Sequence, residues 1–309
     1  MGLYAHLGAF CYSGGYLMAD KEFKKIEDQI ALLESRGLTI SDKAQAGEFL
    51  LRNNYYRVSG YSLTLRSHDV FRPQASFQNI MDIYNFDHEL RHILLRYLEI
   101  IEVAFKAIYS YEFTKRYGAT AYLDPGHFSD EDKYKEIIAK AEKQKDMRLP
   151  HEAYLKHFVE DLKQDIPLWA YVDLFTISDI SFLYSISDSG VQTDVAAAFG
   201  LEKRGADILK SFMHSMTIIR NLCAHGGRLY NRLFEQKPWL NKKEQKLLRR
   251  DAGGHMDNAH LFGFVLIMRR LLKPDEFAAM KSEIAALTKK YPFVGMRYYG
   301  FAEDWEILL

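Results

Sequence analysis

Three polar side chains lie close together in the stretch RNLCAHGGRLYNR, residues 220–232: Arg220, Asn221 and His225, with two glycines directly after the histidine. Histidine is the side chain best suited to move protons near neutral pH. Arginine can hold a phosphate and stabilise its developing charge, and asparagine can hydrogen-bond the phosphate or orient the imidazole. These residue types fit RNA cleavage by the RNA's own 2′-hydroxyl, which needs no metal ion.

The helical spacing places Arg220 and His225 on different faces of the helix predicted for residues 202–225. At about 100° per residue, Arg220 falls on the apolar stripe and His225 lies roughly 140° away from it. An unpaired buried charge is costly, so Arg220 must be paired or must line a cavity. Two solutions stay open: the helix ends or distorts at the glycines, or two chains share one site. The stripe consists of Leu209, Phe212, Met213, Met216, Ile219 and Cys223.

A purely structural interpretation fits the same residues. Arg220 would pair with a core glutamate, and His225 would cap the helix end, where the dipole favours a positive charge. Cys223 lies two residues before His225, so the two side chains diverge by about 160° on a helix. That geometry is poor for a thiol–imidazole pair.

No metal or cofactor motif is expected. Among the eleven histidines, the pairs His151/His157 and His255/His260 lack the spacing of four residues that a zinc-binding H-E-x-x-H helix uses. The two cysteines are too few for a zinc knuckle. They are also far apart, which excludes a disulfide framework and fits a reducing cytoplasm. The glycine-rich phosphate loops of nucleotide-binding proteins are missing.

Nucleic acid would have to bind local basic patches, because the 309 residues include 41 basic and 41 acidic ones. Residues 52–66 interleave arginine with tyrosine, which suits stacking on a nucleic acid, and residues 241–250 are predicted to form a basic helix. Alternatively, the tyrosine rings pack and the arginine tips are solvated. The candidate RNA contacts are Arg52, Tyr55, Tyr56, Arg57, Tyr61, Arg66, Lys242, Lys243, Lys246, Arg249 and Arg250.

Helical periodicity dominates the chain and predicts an all-α fold. No stretch alternates clearly like a strand, and no apolar run approaches the roughly 20 residues of a membrane span. Ser76 is predicted to cap the longest helix, residues 77–117. The other predicted helices cover residues 22–36, 42–52, 130–146, 151–164, a short stretch after Pro167, 179–199, 202–225, 241–250, 257–272 and 274–289.

The predicted organisation has three parts with weak boundaries. Residues 1–21 form an arm of unknown role, and residues 22–75 form an N-terminal helical segment with the basic and aromatic stretch. Residues 76–309 form the main helical domain. The aromatic C-terminal tail is predicted to dock, since an undocked apolar tail would be a liability.

Several ordered motifs resemble the Abi-like proteins of bacterial abortive infection, the AbiD/AbiF group of the HEPN superfamily. Arg220 and His225, with asparagine directly after the arginine, match the R-x(4–6)-H signature of that superfamily. The resemblance runs from about residue 22 to the C-terminus. Its motifs are QIALLESRGL at 29–38, FLLRNNYYRVSGY at 49–61, IYNFDHELRHILLRYLEIIEVAFKAIYSYEFTKRYG at 83–118, RNLCAHGGRLYNR, and GFAEDW at 300–305.

The resemblance implies an HEPN-type helical bundle with additional N-terminal and C-terminal helices, in which the helices of residues 83–117 and 202–225 pack together. It implies that either Glu99 or Glu102 neutralises Arg220 and that Lys106 supports the site. Glu102 and Lys106 would alternatively form only a local ion pair. Asp87 and Arg91 are also expected to face the site.

The function implied by the resemblance is a metal-independent endoribonuclease toxin of phage defence. HEPN ribonucleases bring two copies of the motif together and this chain has one, so the resemblance also implies a homodimer. The alternative is a catalytically silent HEPN protein that holds a small structured RNA, since some Abi-like proteins are associated with one. A helical protein–protein adaptor is the third hypothesis.

Overall fold

The computed structural model describes residues 23–250 and 253–309. These residues are mostly α-helical, and their only sheet is one short ribbon, so the predicted all-α class is confirmed. The arm predicted for residues 1–21 lies outside the described residues. No helix in the described part of the chain is both long and apolar enough to cross a membrane.

The helices are numbered in chain order. They are α1 (Ile26–Ser35), α2 (Lys43–Asn53), α3 (Tyr55–Ser59), α4 (Phe77–Tyr117), α5 (Glu131–Arg148), α6 (Ala153–Lys156), α7 (Leu168–Tyr171), α8 (Ile177–Ile186), α9 (Ser189–Ala198), α10 (Gly205–Ala224), α11 (Lys242–Gln245), α12 (Phe262–Leu271), α13 (Pro274–Lys290) and α14 (Trp305–Leu308). The antiparallel ribbon pairs β1 (Arg66–Ser67) with β2 (Val70–Phe71).

The chain divides into two compact units, one ending at Gln78 and one covering Asn79–Leu309. The division therefore falls in the first turn of α4. In the first unit, α1 packs on α2, and Asp42 caps α2 by accepting a hydrogen bond from the backbone of Gln45. The helix predicted for residues 22–36 begins only at Ile26, and the Phe23 ring before it is exposed.

In the core of the second unit, α10 packs on α8, α9 and α12, and α4 contacts α8 through aromatic side chains. Phe105 of α4 contacts Tyr184 of α8, with ring centroids 5.4 Å apart, and it also contacts Phe199 at 6.2 Å. The long helix predicted for residues 77–117 is confirmed. It runs along this core and carries many of the residues that bear on the predicted site.

Other predicted helices are also wrong in extent, and that of residues 257–272 is α12, which begins only at Phe262. The basic helix of residues 241–250 is only α11, which Asn241 and Glu244 start with a capping box. Beyond it, the chain leaves the helix as Arg250 donates a hydrogen bond to the Gly254 carbonyl. In residues 151–164, α6 is short and gives way to a wider π-helical turn at His157–Asp161.

The C-terminal tail docks, as predicted. Tyr299, Phe301 and Trp305 are all buried. Phe301 lies between the rings of Phe262 and Trp305, with centroids 4.7 Å and 5.2 Å away. Burial of these three aromatic side chains removes the apolar surface that an undocked tail would expose to water.

Candidate functional site

The helix α10 carries the predicted apolar stripe into the core. All six residues of that stripe are buried. Arg220 lies on the edge of the stripe, and 36% of its side chain is exposed. The arginine therefore reaches the surface of the unit instead of entering the core.

The end of α10 is a Schellman motif. His225 is the C-cap, the Gly226 amide donates to the Cys223 carbonyl at 3.1 Å, and the Gly227 amide donates to the Leu222 carbonyl at 2.7 Å. Gly226 has a φ of +65°, in the left-handed region that glycine adopts without strain. The expected helix end at His225 is confirmed, and it needs only one left-handed glycine.

Gly227 is needed for a different reason. A Cβ atom at this position would lie 2.1 Å from Cδ1 of Leu222 and 3.1 Å from the Leu222 carbonyl oxygen. The two glycines therefore solve two problems, one of backbone conformation and one of space. Together they turn the chain sharply after His225.

Arg220 is paired with Glu102 of α4. Its Nε lies 3.5 Å from Glu102 Oε2, while Glu102 Oε1 lies 3.0 Å from Lys106 Nζ. Glu102 therefore pairs with Arg220 of α10 and with Lys106 of its own helix at the same time. Of the two glutamates expected to neutralise Arg220, Glu102 makes the ion pair. Glu99 is exposed. Arg220 also donates a hydrogen bond of 3.4 Å to the Asn221 side chain.

These charges line an open cavity of about 570 Å³ in the second unit. One face of α4 supplies most of its wall, α10 supplies Arg220 and Ala224, and the 3₁₀ turn Val172–Leu174 supplies Asp173. The cavity has the size of a small-ligand site. Its charged residues are Arg96, Glu99, Glu102, Lys106, Asp173 and Arg220.

His225 is exposed and does not line this cavity. It follows Ala224, which does line it, so the imidazole is attached at the cavity's edge. The structure thus brings Arg220, Glu102 and Lys106 together in one place, with Glu99 on the same wall. It leaves His225 on the outer side of the helix end.

Asp87 and Arg91 occupy a different environment. Asp87 is completely buried, and it pairs with Arg91, which is also buried. The Asp87 carboxylate accepts hydrogen bonds from the backbone amides of Leu229 at 3.2 Å and Tyr230 at 2.8 Å. Arg91 donates to the Gly227 carbonyl at 3.3 Å. The pair anchors the segment that follows the helix end, and neither residue lines the cavity.

A third element joins this anchor from the C-terminal tail. The Tyr299 hydroxyl donates to Asp87 at 3.1 Å, and the Tyr299 ring contacts those of Phe86 and Tyr230. Tyr299 was missed in the sequence, although it lies directly before the GFAEDW motif. The Asp87 carboxylate thus joins α4, the segment after α10 and the C-terminal tail.

Cys223 faces the same interior. It is buried, and burial raises the pKa of its thiol to about 12, with the nearby Arg91 acting in the opposite direction. A thiol of that kind is a poor nucleophile at neutral pH. This agrees with the poor thiol–imidazole geometry inferred from the sequence.

The candidate RNA contacts of the first unit differ in how exposed their side chains are. Arg52, Tyr56 and Arg57 are exposed on α2 and α3, and Tyr55 meets Tyr56 edge to face at 5.9 Å. Tyr61 is fully buried, so its ring fills the core of the unit and the prediction of a stacking role for it is wrong. Alternation of basic and aromatic residues could not distinguish a surface ring from a core ring.

The other candidate arginines have partners: Arg66 in the first unit, and Arg249 and Arg250 in the second. Arg66 lies 3.0 Å from Asp69, Arg249 lies 3.5 Å from Asp257, and Arg250 bonds a backbone carbonyl. These side chains hold turns in place, which leaves the lysines as the more available charges. The exposed ones are Lys242, Lys243 and Lys246.

Two further histidines, His88 and His92, lie close together and were not predicted as site residues. They are four residues apart on α4, both are exposed, and their ring centroids are 4.4 Å apart. His92 also lines the cavity of Arg220. The signal was present in FDHELRH, because side chains four apart share a helix face. No group of three or more metal-ligating side chains is found among the described residues.

Comparison with known proteins gives one match. A family model described as Abi-like protein matches residues 48–231, which is more than half of the chain. The matched range includes the cavity residues on α4 and α10, and it ends before the segment 241–250 and Tyr299. No curated protein and no solved structure matches.

Proposed function

The chain belongs to the Abi-like protein family, and from that premise we propose that it is a metal-independent endoribonuclease toxin that acts in abortive infection. Family membership supports the role in abortive infection. The nuclease activity is inferred from the residues at the end of α10. The resemblance of Arg220, Asn221 and His225 to the HEPN signature supports the same reaction.

The proposed reaction needs only proton transfer and charge stabilisation. A base removes the proton from the 2′-hydroxyl, the 2′-oxygen forms a bond to phosphorus, and the bond from phosphorus to the 5′-oxygen breaks. An acid then protonates the 5′-oxygen. Arg220 and Lys106 stabilise the charge that develops on the phosphate, Asn221 orients it, and His225 transfers a proton. The products carry a 2′,3′-cyclic phosphate and a 5′-hydroxyl.

The observation that carries this proposal is the position of Arg220. Its guanidinium is held at 3.5 Å by Glu102 at the wall of an open cavity and remains partly exposed. A guanidinium used only for packing would be covered, whereas this one can still present N–H donors to an anion. A phosphate bound there would lie beside the helix end that carries His225.

The test is incubation of the purified full-length protein with RNA in EDTA. We expect cleavage with a 2′,3′-cyclic phosphate end and no cleavage of a 2′-O-methyl copy of the same RNA. His225→Ala should lower the rate by about 10²–10⁴-fold. His214→Ala, which changes another exposed histidine of α10, is the matched control. Lack of cleavage by the wild type, or full activity of His225→Ala, would overturn the proposal.

The second candidate function is a catalytically silent RNA-binding protein that holds a small structured RNA. The observation that favours it is the exposed position of His225 outside the cavity. RNA would then contact the exposed basic residues, and binding would weaken steeply with salt. Filter binding across a salt series, with intact RNA recovered at the end, distinguishes this function from cleavage.

A homodimer remains part of the proposal, as the resemblance implies. Sedimentation of the wild-type protein with and without RNA measures it directly. A monomer that cleaves RNA would show that a single motif copy is sufficient.

A further inference from the structure

His92 lies in the cavity that holds Arg220, and the proposed reaction needs a proton-transferring group in that place. Among the described residues that line the cavity, His92 is the only histidine. Histidine is the side chain that exchanges a proton most readily near neutral pH. We propose that His92 is the general base that removes the proton from the RNA's 2′-hydroxyl, while His225 is the acid that protonates the leaving 5′-oxygen. This inference rests on the proposed function.

The face of α4 fixes the position of His92 relative to the cations. His92, Arg96 and Glu99 follow each other at spacings of four and three residues, and Glu102 and Lys106 continue the same face. At about 1.5 Å per residue, the face from His92 to Lys106 is roughly 21 Å long. The 2′-oxygen lies next to the scissile phosphorus, so the proposal requires the phosphate to bind between His92 and the guanidinium of Arg220, both of which line the cavity.

Contact with His88 limits the freedom of the His92 ring. The two rings lie at 65° to each other with centroids 4.4 Å apart. Because both residues are on one regular helix, this contact holds the imidazole of His92 without burying it. An accessible ring with restricted rotation loses less entropy when it meets a substrate than a free one does.

The division of roles follows from where each histidine is attached. His225 is the C-cap of α10 and lies outside the cavity, whereas His92 lines it, so the two imidazoles reach a bound phosphate from different elements. His92 lies in the middle of α4, away from any helix end. The charged groups that share its cavity are Arg96, Glu99, Glu102 and Lys106 from α4, Asp173 from the turn Val172–Leu174, and Arg220 from α10.

The cavity is therefore lined by three cations and three carboxylates, and one of the cations, Arg96, is also paired with Glu283 at 2.6 Å. Binding of the phosphate adds negative charge beside the imidazole. That charge stabilises the imidazolium that forms when His92 takes the 2′-proton. Bound phosphate thereby makes His92 a stronger base at the moment it acts. Solvent then removes the proton from His92 and returns one to His225, which balances the cycle.

The experiment uses full-length protein and two substrates: an RNA oligonucleotide and uridine 3′-(4-nitrophenyl phosphate). Nitrophenolate leaves without being protonated, so the second substrate needs a base and no acid. His92→Ala should lower kcat/KM by about 10²–10⁴-fold on both substrates. His225→Ala should lose a similar factor on RNA and stay within about tenfold of wild type on the nitrophenyl ester. His214→Ala is the control for both.

The pH profile gives a second measurement on the same proteins. A base must be deprotonated to act, so the fall of kcat/KM on the acidic side should disappear in His92→Ala and persist in His225→Ala. Wild-type activity of His92→Ala, or activity of this variant that is restored on the nitrophenyl ester, would overturn the role of His92 as the base. Neither result would contradict the proposed nuclease function. If the wild type cuts neither substrate, the proposed function fails as well, and the two failures are distinct.

Discussion

Two acid–base pairs lie on α4 with the same spacing of four residues and opposite surroundings. Asp87 and Arg91 are buried at 0% and 2% side-chain exposure, and their hydrogen bonds go to the backbone after α10 and to the tail. Glu102 and Lys106 keep 13% and 12% exposure, and they line a cavity with Arg220. One pair holds the chain in place, whereas the other is available to a ligand.

The comparison shows that spacing predicts that a pair forms but not what it does. The buried pair has its remaining hydrogen-bonding capacity satisfied by protein groups, so it has little left to offer a substrate. In the cavity pair, Glu102 serves two cations at once, and the outer side of the site is open. Location relative to the end of α10 separates a residue that positions the motif from one that lines the open cavity.

The largest expected effect is on stability, from Asp87→Ala. Removal of the carboxylate leaves Arg91 buried without its partner, and the amides of Leu229 and Tyr230 lose their acceptor. We expect a loss of about 3–5 kcal/mol in the free energy of unfolding. Urea denaturation followed by tryptophan fluorescence measures it, because all three tryptophans lie in the second unit.

Glu102→Ala is the matched control for that measurement. Arg220 is partly exposed and the pair lines an open cavity, so removal of Glu102 should cost about 1–2 kcal/mol, less than the loss for Asp87→Ala. Equal losses for Asp87→Ala and Glu102→Ala would abolish the distinction between the two pairs.

The next effect is on activity, from Arg220→Ala. If the cavity holds the scissile phosphate, kcat/KM for RNA should fall by about 10²–10³-fold. The free energy of unfolding should change by only about 0.5 kcal/mol, since the side chain is partly exposed. Initial cleavage rates are compared with those of Lys203→Ala, an exposed lysine just before the same helix. An unchanged rate would remove Arg220 from the site.

A smaller effect, on the free energy of unfolding, is expected from Gly226→Ala at the C-terminal end of α10. An alanine pays about 1–2 kcal/mol for the left-handed backbone that Gly226 adopts. Gly226→Asn should cost less, because asparagine tolerates that conformation better. Urea midpoints of the two variants measure the difference, and a more stable alanine variant would contradict the assignment of a Schellman motif.

The smallest effect is chemical and concerns Cys223, which lies beside the buried pair. In a Cys11→Ser background the only thiol is Cys223. Burial raises the pKa of the Cys223 thiol to about 12, so this thiol should react with a disulfide reagent much more slowly in the native protein than in the unfolded protein. Asp87→Ala should speed the reaction by opening the interior, whereas Glu102→Ala should not. Fast labelling of Cys223 in the Cys11→Ser protein without a second substitution would contradict the burial of this thiol.

The fold could be predicted from the sequence because the helices are long and strongly periodic. The bounds of α4 and the cap of α2 follow from local signals alone. The end of the basic helix at Gln245 could not be predicted, because Arg249 and Arg250 are drawn away by Asp257 and Gly254, and such contacts leave no periodic trace. Tyr61 was misjudged for a related reason, since burial depends on the whole unit.

The candidate site could be predicted in part. The angular count correctly required a partner or a cavity for Arg220, and both are present. The choice between Glu99 and Glu102 needed the rotation of α4 relative to α10, which no local pattern encodes. His92 could have been found from its spacing with His88, whereas Tyr299 could not, because its bond to Asp87 joins distant parts of the chain.

The bond between Tyr299 and Asp87 bears on the order in which the protein is made. Synthesis runs from the N-terminus, so Asp87 and the motif at 220–232 leave the ribosome well before Tyr299 does. The Asp87 carboxylate receives the hydrogen bond of Tyr299 only after residues 220–232 have been made. For an enzyme proposed to cleave RNA, the anchor behind the helix end is therefore completed later than the motif that it holds.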